Sequence, residues 1–370
     1  MVDEPAGKTS GRNRPEDRLG MSIGVLLIRA DAGPRVGVGH LMRCLALAEA
    51  WRQRDGEVVI VSGDLPDGLA ERMASVGASS RIVSAQQDSG GWLGETAAAQ
   101  DAAWIVIDGY GFGPDYMAAA GQSDRPVLMI DDDARHDGYP VQALLNQNLH
   151  AQAEDYADKT DAALMLGPRH ALIRGALSAW KDWVRGMPVR ANRILVTLGG
   201  ADLGGHTAKV IAALAVLQQR APDLDLQARV VVGGANPRLN ALREAAADHN
   251  GIKILFDIKD MERQISWCDI ALSASGSTVW ELALFQTPML LATAAPVEEP
   301  VAASLADAGA ALVLGRLEDQ NAAAIAAGIL ALADDPARRA SLADAAARLV
   351  DGNGAARVVE QMLAISNARG

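Results

Sequence analysis

The chain is short of aromatic rings, of cysteine and of positive charge, and each shortage closes off a class of function. Phe, Trp and Tyr together make up 4% of the 370 residues, against 49% apolar residues in all. A core with so few rings has to be built from Ala, Leu, Val and Ile on closely packed helices. The only cysteines are Cys44 and Cys268. They cannot form a disulfide framework, and neither sits in a CxxC or Cys/His spacing, so no metal and no cofactor is expected and a reducing cytoplasm is the natural location. Lys and Arg number 34 against 46 Asp and Glu, a formal net charge of −12. That argues against a nucleic-acid partner, which calls for a basic face. An anionic small molecule is still compatible, because main-chain N–H groups and helix N-termini bind phosphate without basic side chains. There is no run of about 18 uncharged apolar residues, so no membrane span is expected. Residues 1–20 are rich in Gly, Pro, Arg and acids with no hydrophobic stretch, which reads as a disordered arm rather than a signal peptide.

What is present is length and alternation. A chain of 370 residues with 22% charged residues suits a folded protein of two domains of roughly 150–180 residues each. From Ile23 onward short apolar runs alternate with helical stretches, the signature of βα units in a mainly parallel sheet. Strands are expected at Ile23–Arg29, Val58–Ser62, Arg81–Val83, Trp104–Asp108 and Val127–Ile130, with two short candidates at Ala143–Asn146 and Ala163–Met165. The segment from His170 to Arg190 breaks the alternation with a Trp-rich helix (Trp180, Trp183) and ends in Gly186-Met187-Pro188, a linker. A second series follows, with strands at Arg193–Leu198, Gln227–Val232, Lys253–Phe256, Ile270–Ser273, Met289–Ala292 and Ala311–Leu314. The expected division is 21–172 for the first domain, 173–190 for the linker, 191–317 for the second domain and 318–370 for Ala-rich terminal helices. Those helices could cover an exposed face or cross back to the first domain. Two such halves imply facing doubly wound domains, with ligands in the cleft outside the carboxyl ends of the strands.

Four strand-end loops carry the chemistry. In the first, Gly37 and Gly39 let the backbone turn sharply and approach a ligand, and His40 then opens a helix. A neutral imidazole at that point can act as a base, the alternative being a capping or buried structural histidine. The loop is neither a Walker pattern nor GxGxxG. In the second, Ser275-Gly276-Ser277-Thr278 frees the N–H groups of the following helix for a diphosphate, and Glu281, one turn on, can reach a ribose diol. The alternative is an ordinary N-cap by Ser277 or Thr278. Gly199-Gly200 opens the same half with a matching glycine loop. Asp108-Gly109-Tyr110 could bring an acid and a phenol to the cleft. Asp131-Asp132-Asp133 invites a metal but reads better as a solvated acidic turn.

Taken together these motifs resemble the UDP-2,4-diacetamido-2,4,6-trideoxy-β-L-altropyranose hydrolases of the pseudaminic acid pathway. They are also similar to the wider group around that family, the spore-coat polysaccharide proteins and MurG-like glycosyltransferases. The matching pieces are Arg29-Ala30-Asp31, Gly37-Val38-Gly39-His40 with Arg43-Cys44-Leu45, Asp108-Gly109-Tyr110, Asp131-Asp132, Asn146-Gln147-Asn148, Leu166-Gly167-Pro168-Arg169, Thr197-Leu198-Gly199-Gly200-Ala201-Asp202 and Ser275–Glu281. The resemblance implies a GT-B fold (two Rossmann-like domains facing across a cleft), UDP held on the C-terminal half, and inverting attack of water at C1 without a metal. It implies His40 as the catalytic base, with Tyr110, lining the sugar site, as the second catalytic candidate. The corresponding substrate-side set is Arg29, Asp31, Gly37, Gly39, Arg43, Asp108, Gly199, Gly200, Ser275, Gly276, Ser277, Thr278 and Glu281. The expected role is supply of a nonulosonic acid for flagellin or surface glycans. A GT-B glycosyltransferase using the same donor, and a sugar-nucleotide-binding protein without turnover, are the alternatives. One stretch departs from the family: Pro296-Val297-Glu298-Glu299-Pro300 stands where an Asn-Gln pair is common. Carboxylates there would repel phosphate and remove donors to an N-acetyl carbonyl.

Overall fold

The computed structural model of the chain describes residues 22–33, 36–65, 68–202 and 204–369; the arm expected over residues 1–20 lies outside them. Strands β1 (Val25–Ala30), β2 (Glu57–Ser62), β3 (Ser79–Ile82), β4 (Ala102–Asp108), β5 (Val127–Ile130), β6 (Ala143–Asn146) and β7 (Ala163–Leu166) form a seven-stranded sheet. Its order is β3-β2-β1-β4-β5-β6-β7, and every neighbouring pair is parallel. Helices α1 (Gly39–Arg52), α2 (Leu69–Ser75), α3 (Gly90–Ala99) and α4 (Pro114–Gly121) connect its first five strands. Parallel strands covered on both faces need unbroken apolar runs. The β4 sequence AAWIVID is such a run, with six of its seven residues buried.

After a single turn of helix, α5 (Gly175–Ser178), the pattern repeats. Strands β8 (Arg193–Thr197), β9 (Gln227–Val232), β10 (Ile252–Phe256), β11 (Ile270–Ser273), β12 (Met289–Thr293) and β13 (Ala311–Arg316) form a parallel six-stranded sheet ordered β10-β9-β8-β11-β12-β13. It is connected by α6 (His206–Arg220), α7 (Leu239–Ala247), α8 (Met261–Trp267), α9 (Thr278–Leu284) and α10 (Glu299–Asp307). Helices α11 (Ala322–Ala333), α12 (Pro336–Ala347) and α13 (Gly354–Arg369) close the chain.

Of the two readings of the terminal helices, the crossing one applies to α13. Its Ala355, Val358, Val359 and Met362 join the apolar cluster beneath α1, in the first domain. Trp104 Nε1 donates to Ser366 Oγ at 2.8 Å behind them. Helix α11 packs instead against α6, and α12 against α9. Burial of α1 on most of its sides follows from the sheet on one side and α13 on another, which is why its sequence shows little amphipathic contrast.

The Trp-rich helix expected in the linker is absent. Helix α5 stops at Ser178, and Trp180 and Trp183 turn onto Phe285, with ring centroids 5.6 and 5.7 Å away. Ring burial against the second domain overrides local helix preference. Arg185 then ties the segment down: it is 7% exposed and donates to the carbonyls of Phe285, Ile265 and Cys268 and to Thr287 Oγ1.

In both sheets the strand order reverses direction at one point, between β1 and β4 in the first and between β8 and β11 in the second. Loops at such a point diverge to opposite faces and leave a crevice for a ligand. The four loops singled out in the sequence are the ones that leave β1, β4, β8 and β11.

Candidate active site

The two crevices face each other and enclose a cleft of about 380 Å³ lined by both domains, within the usual range for a small-molecule site. No helix among the described residues is long and apolar enough to cross a membrane.

On the first domain's side the β1–α1 loop folds on itself. Gly33 and Gly37 exchange main-chain hydrogen bonds of 2.9 and 2.8 Å, and Gly37 has φ +75°, a conformation that favours glycine. Helix α1 starts at Gly39 with no side-chain cap. His40 therefore occupies its first turn, 11% exposed, and lines the cleft. Its Nδ1 lies 2.7 Å from Asp108 Oδ1. A carboxylate can only accept, so His40 donates from Nδ1, and in the neutral tautomer this leaves the lone pair on Nε2.

Asp108 is fully buried and held from the other side by Arg43, which donates from Nε to Oδ2 at 2.7 Å and from Nη2 to Oδ1 at 2.6 Å. Burial by itself would raise the Asp108 pKa. The Arg43 charge, the His40 contact and these hydrogen bonds outweigh it and hold the carboxyl well below the usual range. Arg43 continues to Asp132 Oδ1 at 2.7 Å and Oδ2 at 2.9 Å. Asn148 Nδ2 donates to the same Asp132 Oδ1 at 3.2 Å. The result is a fixed chain from imidazole to amide, of the kind that orients a base. Tyr110 stands edge-on to His40 with ring centroids 4.8 Å apart. Desolvation of its hydroxyl and the nearby Asp132 charge raise its pKa, so it is a hydrogen-bond donor at neutral pH.

On the second domain's side the loop after β11 presents Ser275, Gly276 and Ser277 to the cleft. Ser277 takes the N-cap position of α9 but makes no side-chain capping bond, so the ordinary-cap alternative lacks its defining contact. Ser275 is 2% exposed, and its buried Oγ has no partner among the described residues. A Cβ on Gly276 would meet nothing within 4 Å, which leaves its backbone open to a ligand. The two loops nearly touch: a Cβ at Gly39 would lie 3.9 Å from Ser277 Oγ. At Gly200 a Cβ would lie 2.5 Å from Val38 Cγ2, so the absence of a side chain there permits the approach of the β8 loop to the β1 loop.

The structure brings most of the expected residues together. Gly37, Gly39, His40, Arg43, Tyr110, Gly199, Gly200, Ser275, Gly276, Ser277, Thr278 and Glu281 line the cleft, and Asp108 lies directly behind His40 and Arg43. Four of the five Arg43 N–H groups donate to Asp108 and Asp132, so its charge is largely committed to those carboxylates.

Arg29 and Asp31 do not reach the cleft. Side chains alternate along a strand, and Leu26, Ile28 and Ala30 point to the face that carries α1. Arg29 points to the other face, 2% exposed, against Asp31 at 2.6 Å, Asp88 at 2.6 Å and the Phe112 ring. Asp31 also accepts from the Gly63 N–H at 2.8 Å. This is a structural ion network.

Of the triple aspartate, expected as a solvated acidic turn, only Asp133 is exposed. Asp131 is buried and accepts from Tyr139 and Tyr156, Asp132 pairs with Arg43, and Asp133 pairs with Arg135. Among the described residues no group of three or more His, Cys, Asp or Glu could hold a metal ion. Glu298 also differs from expectation. Its carboxylate turns back to accept from the Ala294 N–H at 2.7 Å, and burial raises its pKa against the help of main-chain N–H groups. Glu298 still lines the cleft, and the backbone donors only partly offset the burial of its carboxyl. Glu299 points to Arg316 instead, 3.5 Å away.

Three charged cleft residues were missed from the sequence: Arg174, and the pair Arg72–Asp257, which joins α2 to the end of β10 at 2.7 Å. Each acts through a partner more than 100 residues distant and leaves no local pattern.

No family model matches the chain. The spore coat polysaccharide biosynthesis protein SpsG of Bacillus subtilis is 24% identical over 300 residues, covering 80% of this chain and 84% of that protein. The UDP-2,4-diacetamido-2,4,6-trideoxy-β-L-altropyranose hydrolase of Campylobacter jejuni is 20% identical over 266 residues, covering 70% and 88%. Among solved structures, Acinetobacter baumannii MurG superimposes with a TM-score of 0.62 at 16% identity, over 92% of this chain and 99% of that one. The chain has the GT-B fold.

Proposed function

We propose that this protein binds a UDP-activated sugar in the cleft and hydrolyses it at the anomeric carbon. The observation that carries the reading is the pairing of an Asp108-oriented imidazole with the open Ser275–Thr278 loop across one gap. In this reading the pyrophosphate accepts from main-chain N–H groups of that loop and from the unpartnered Ser275 hydroxyl. Glu281 accepts from the ribose, and Tyr110 borders the sugar.

His40 Nε2 takes a proton from a water molecule as the water oxygen bonds to C1. The C1–O bond to UDP breaks on the opposite face, its electron pair leaves with the β-phosphate, and the configuration inverts. Asp108 stabilises the imidazolium that forms. UDP is a good leaving group already, so the carboxylate pair of glycosidases is not required. The likeness to the Campylobacter jejuni hydrolase supports a diacetamido-trideoxy sugar as substrate, and with it the supply of a nonulosonic acid.

The test is UDP release from candidate UDP-sugars. Release without any acceptor supports the hydrolase. Release that depends on an added acceptor supports a transferase, and saturable binding without release supports a binding protein. His40→Ala should lower turnover about 10²–10⁴-fold, the usual contribution of a general base, with UDP affinity little changed. Unchanged turnover in that variant would refute the assignment of His40.

A further inference from the structure

Arg174 belongs to neither sheet. It is the residue before α5, in the segment that leaves the first domain for the second, and it lines the cleft. Its Nε and Nη2 both donate to one oxygen of Glu281, Oε1, at 3.1 and 2.9 Å. An arginine that simply neutralises a carboxylate usually forks onto both oxygens, one N–H to each. Here both donors converge on Oε1, and Oε2 has no hydrogen-bond partner among the described residues. The pair is largely sheltered, with side chains 18% and 16% exposed, so its geometry is fixed more firmly than that of a surface ion pair.

The backbone behind Arg174 is also fixed. The next residue, Gly175, donates its N–H to Glu49 Oε2 at 2.7 Å, and Glu49 is on α1, about two and a half turns along from His40. A Cβ at Gly175 would lie 2.6 Å from Glu49 Oε1, so this close seat suits glycine. The Arg174 carbonyl accepts from Leu177 and Ser178 at 3.0 Å each. The guanidinium is therefore held from the first domain while it orients a carboxylate on α9 of the second.

An ionised carboxylate offers roughly four acceptor positions. Arg174 uses two of them on one oxygen and leaves the other oxygen open to the cleft. We infer that Arg174 is the positioning residue for ribose recognition, turning Glu281 so that its free oxygen meets a 2′,3′-diol, and thereby setting a preference for ribonucleotides over 2′-deoxyribonucleotides. This rests on the reading that the cleft binds a nucleoside diphosphate, and it adds which sugar of the nucleotide is read and by what.

The test is calorimetric titration of the full chain with UDP and with 2′-deoxy-UDP. Both ligands carry the same diphosphate, so loss of a positive charge weakens both alike, whereas misplacement of Glu281 weakens only UDP. Wild type should prefer UDP by about tenfold or more, the scale of a hydrogen bond to a charged group. Arg174→Gln should reduce the preference to near unity by weakening UDP, with 2′-deoxy-UDP little changed. Glu281→Gln should reduce it similarly, and the double variant should go no further. Arg174→Lys, which keeps the charge but not the paired donors, should fall between wild type and Arg174→Gln; it stands in if the Gln variant does not fold. Equal weakening of both ligands, or an unchanged preference, overturns the role of Arg174. Absence of UDP binding by the wild type instead overturns the function proposed above.

Discussion

Asp108 holds an imidazole and a guanidinium with one carboxylate, and this makes it the most consequential side chain that never touches the cleft. It fixes the His40 tautomer through Oδ1 and anchors Arg43 through both oxygens. Asp108→Asn keeps the shape but removes the charge, and an amide can present N–H to Nδ1, which would move the ring proton to Nε2. Turnover should fall by about 10²–10⁴-fold, comparable to loss of the base itself, while UDP affinity measured by titration stays close to wild type. Stability has a defined pH signature as well. The Asp108 pKa is depressed on folding, so its contribution is present above the unfolded value of about 3.9 and is lost as pH falls below it. Asp108→Asn should thus be less stable than wild type at pH 7, and the gap in denaturant midpoints should begin to narrow below about pH 4. A gap that widens in acid would contradict this.

Helices and strands were legible where the apolar pattern was unbroken. The strand expected at Trp104–Asp108 is β4 with two residues added at its start, and the helices expected after Gly39 and Ser277 begin there. The reason is physical. A strand buried on both faces must be apolar throughout, and the loop that follows must be small to let a ligand and a facing loop approach. Gly199-Gly200 and Ser275-Gly276 follow from that rule. What stayed unreadable depended on distant partners. Trp180 and Trp183 suggest a helix until Phe285 is known to lie opposite. Arg29 looks like a cleft residue until Asp88 is placed behind it, and Arg174 has meaning only beside Glu281. The glycine loops also set limits that can be checked. A Cβ on Gly233, at the end of β9, would lie 2.3 Å from the Gly200 carbonyl oxygen, a backbone atom that cannot swing aside. Gly233→Ala should therefore cost about 1–3 kcal/mol through overpacking, read as a lower denaturant midpoint with unchanged slope. Wild-type stability in that variant would mean the β8 and β9 loops are less closely packed than described.

Across the two domains, the site is assembled by several independent ties. Arg72 reaches Asp257 and the Ile258 carbonyl, Glu71 meets Lys259, and Gly175 is held by Glu49 while Arg174 holds Glu281. Helix α13 returns to cover α1. His40 and the Ser275–Thr278 loop thus belong to different sheets yet share a common frame, as the proposed mechanism requires. In the proposed mechanism His40 faces the anomeric carbon while the phosphates lie on the Ser275–Thr278 loop, so the C1–O bond is the one that breaks. Turnover of the UDP-sugar in ¹⁸O-labelled water, with products read by mass spectrometry, distinguishes the two cleavages directly. The label should appear in the C1 hydroxyl of the released sugar, with UDP unlabelled. Label in the β-phosphate of UDP would mean attack at phosphorus and would contradict the mechanism.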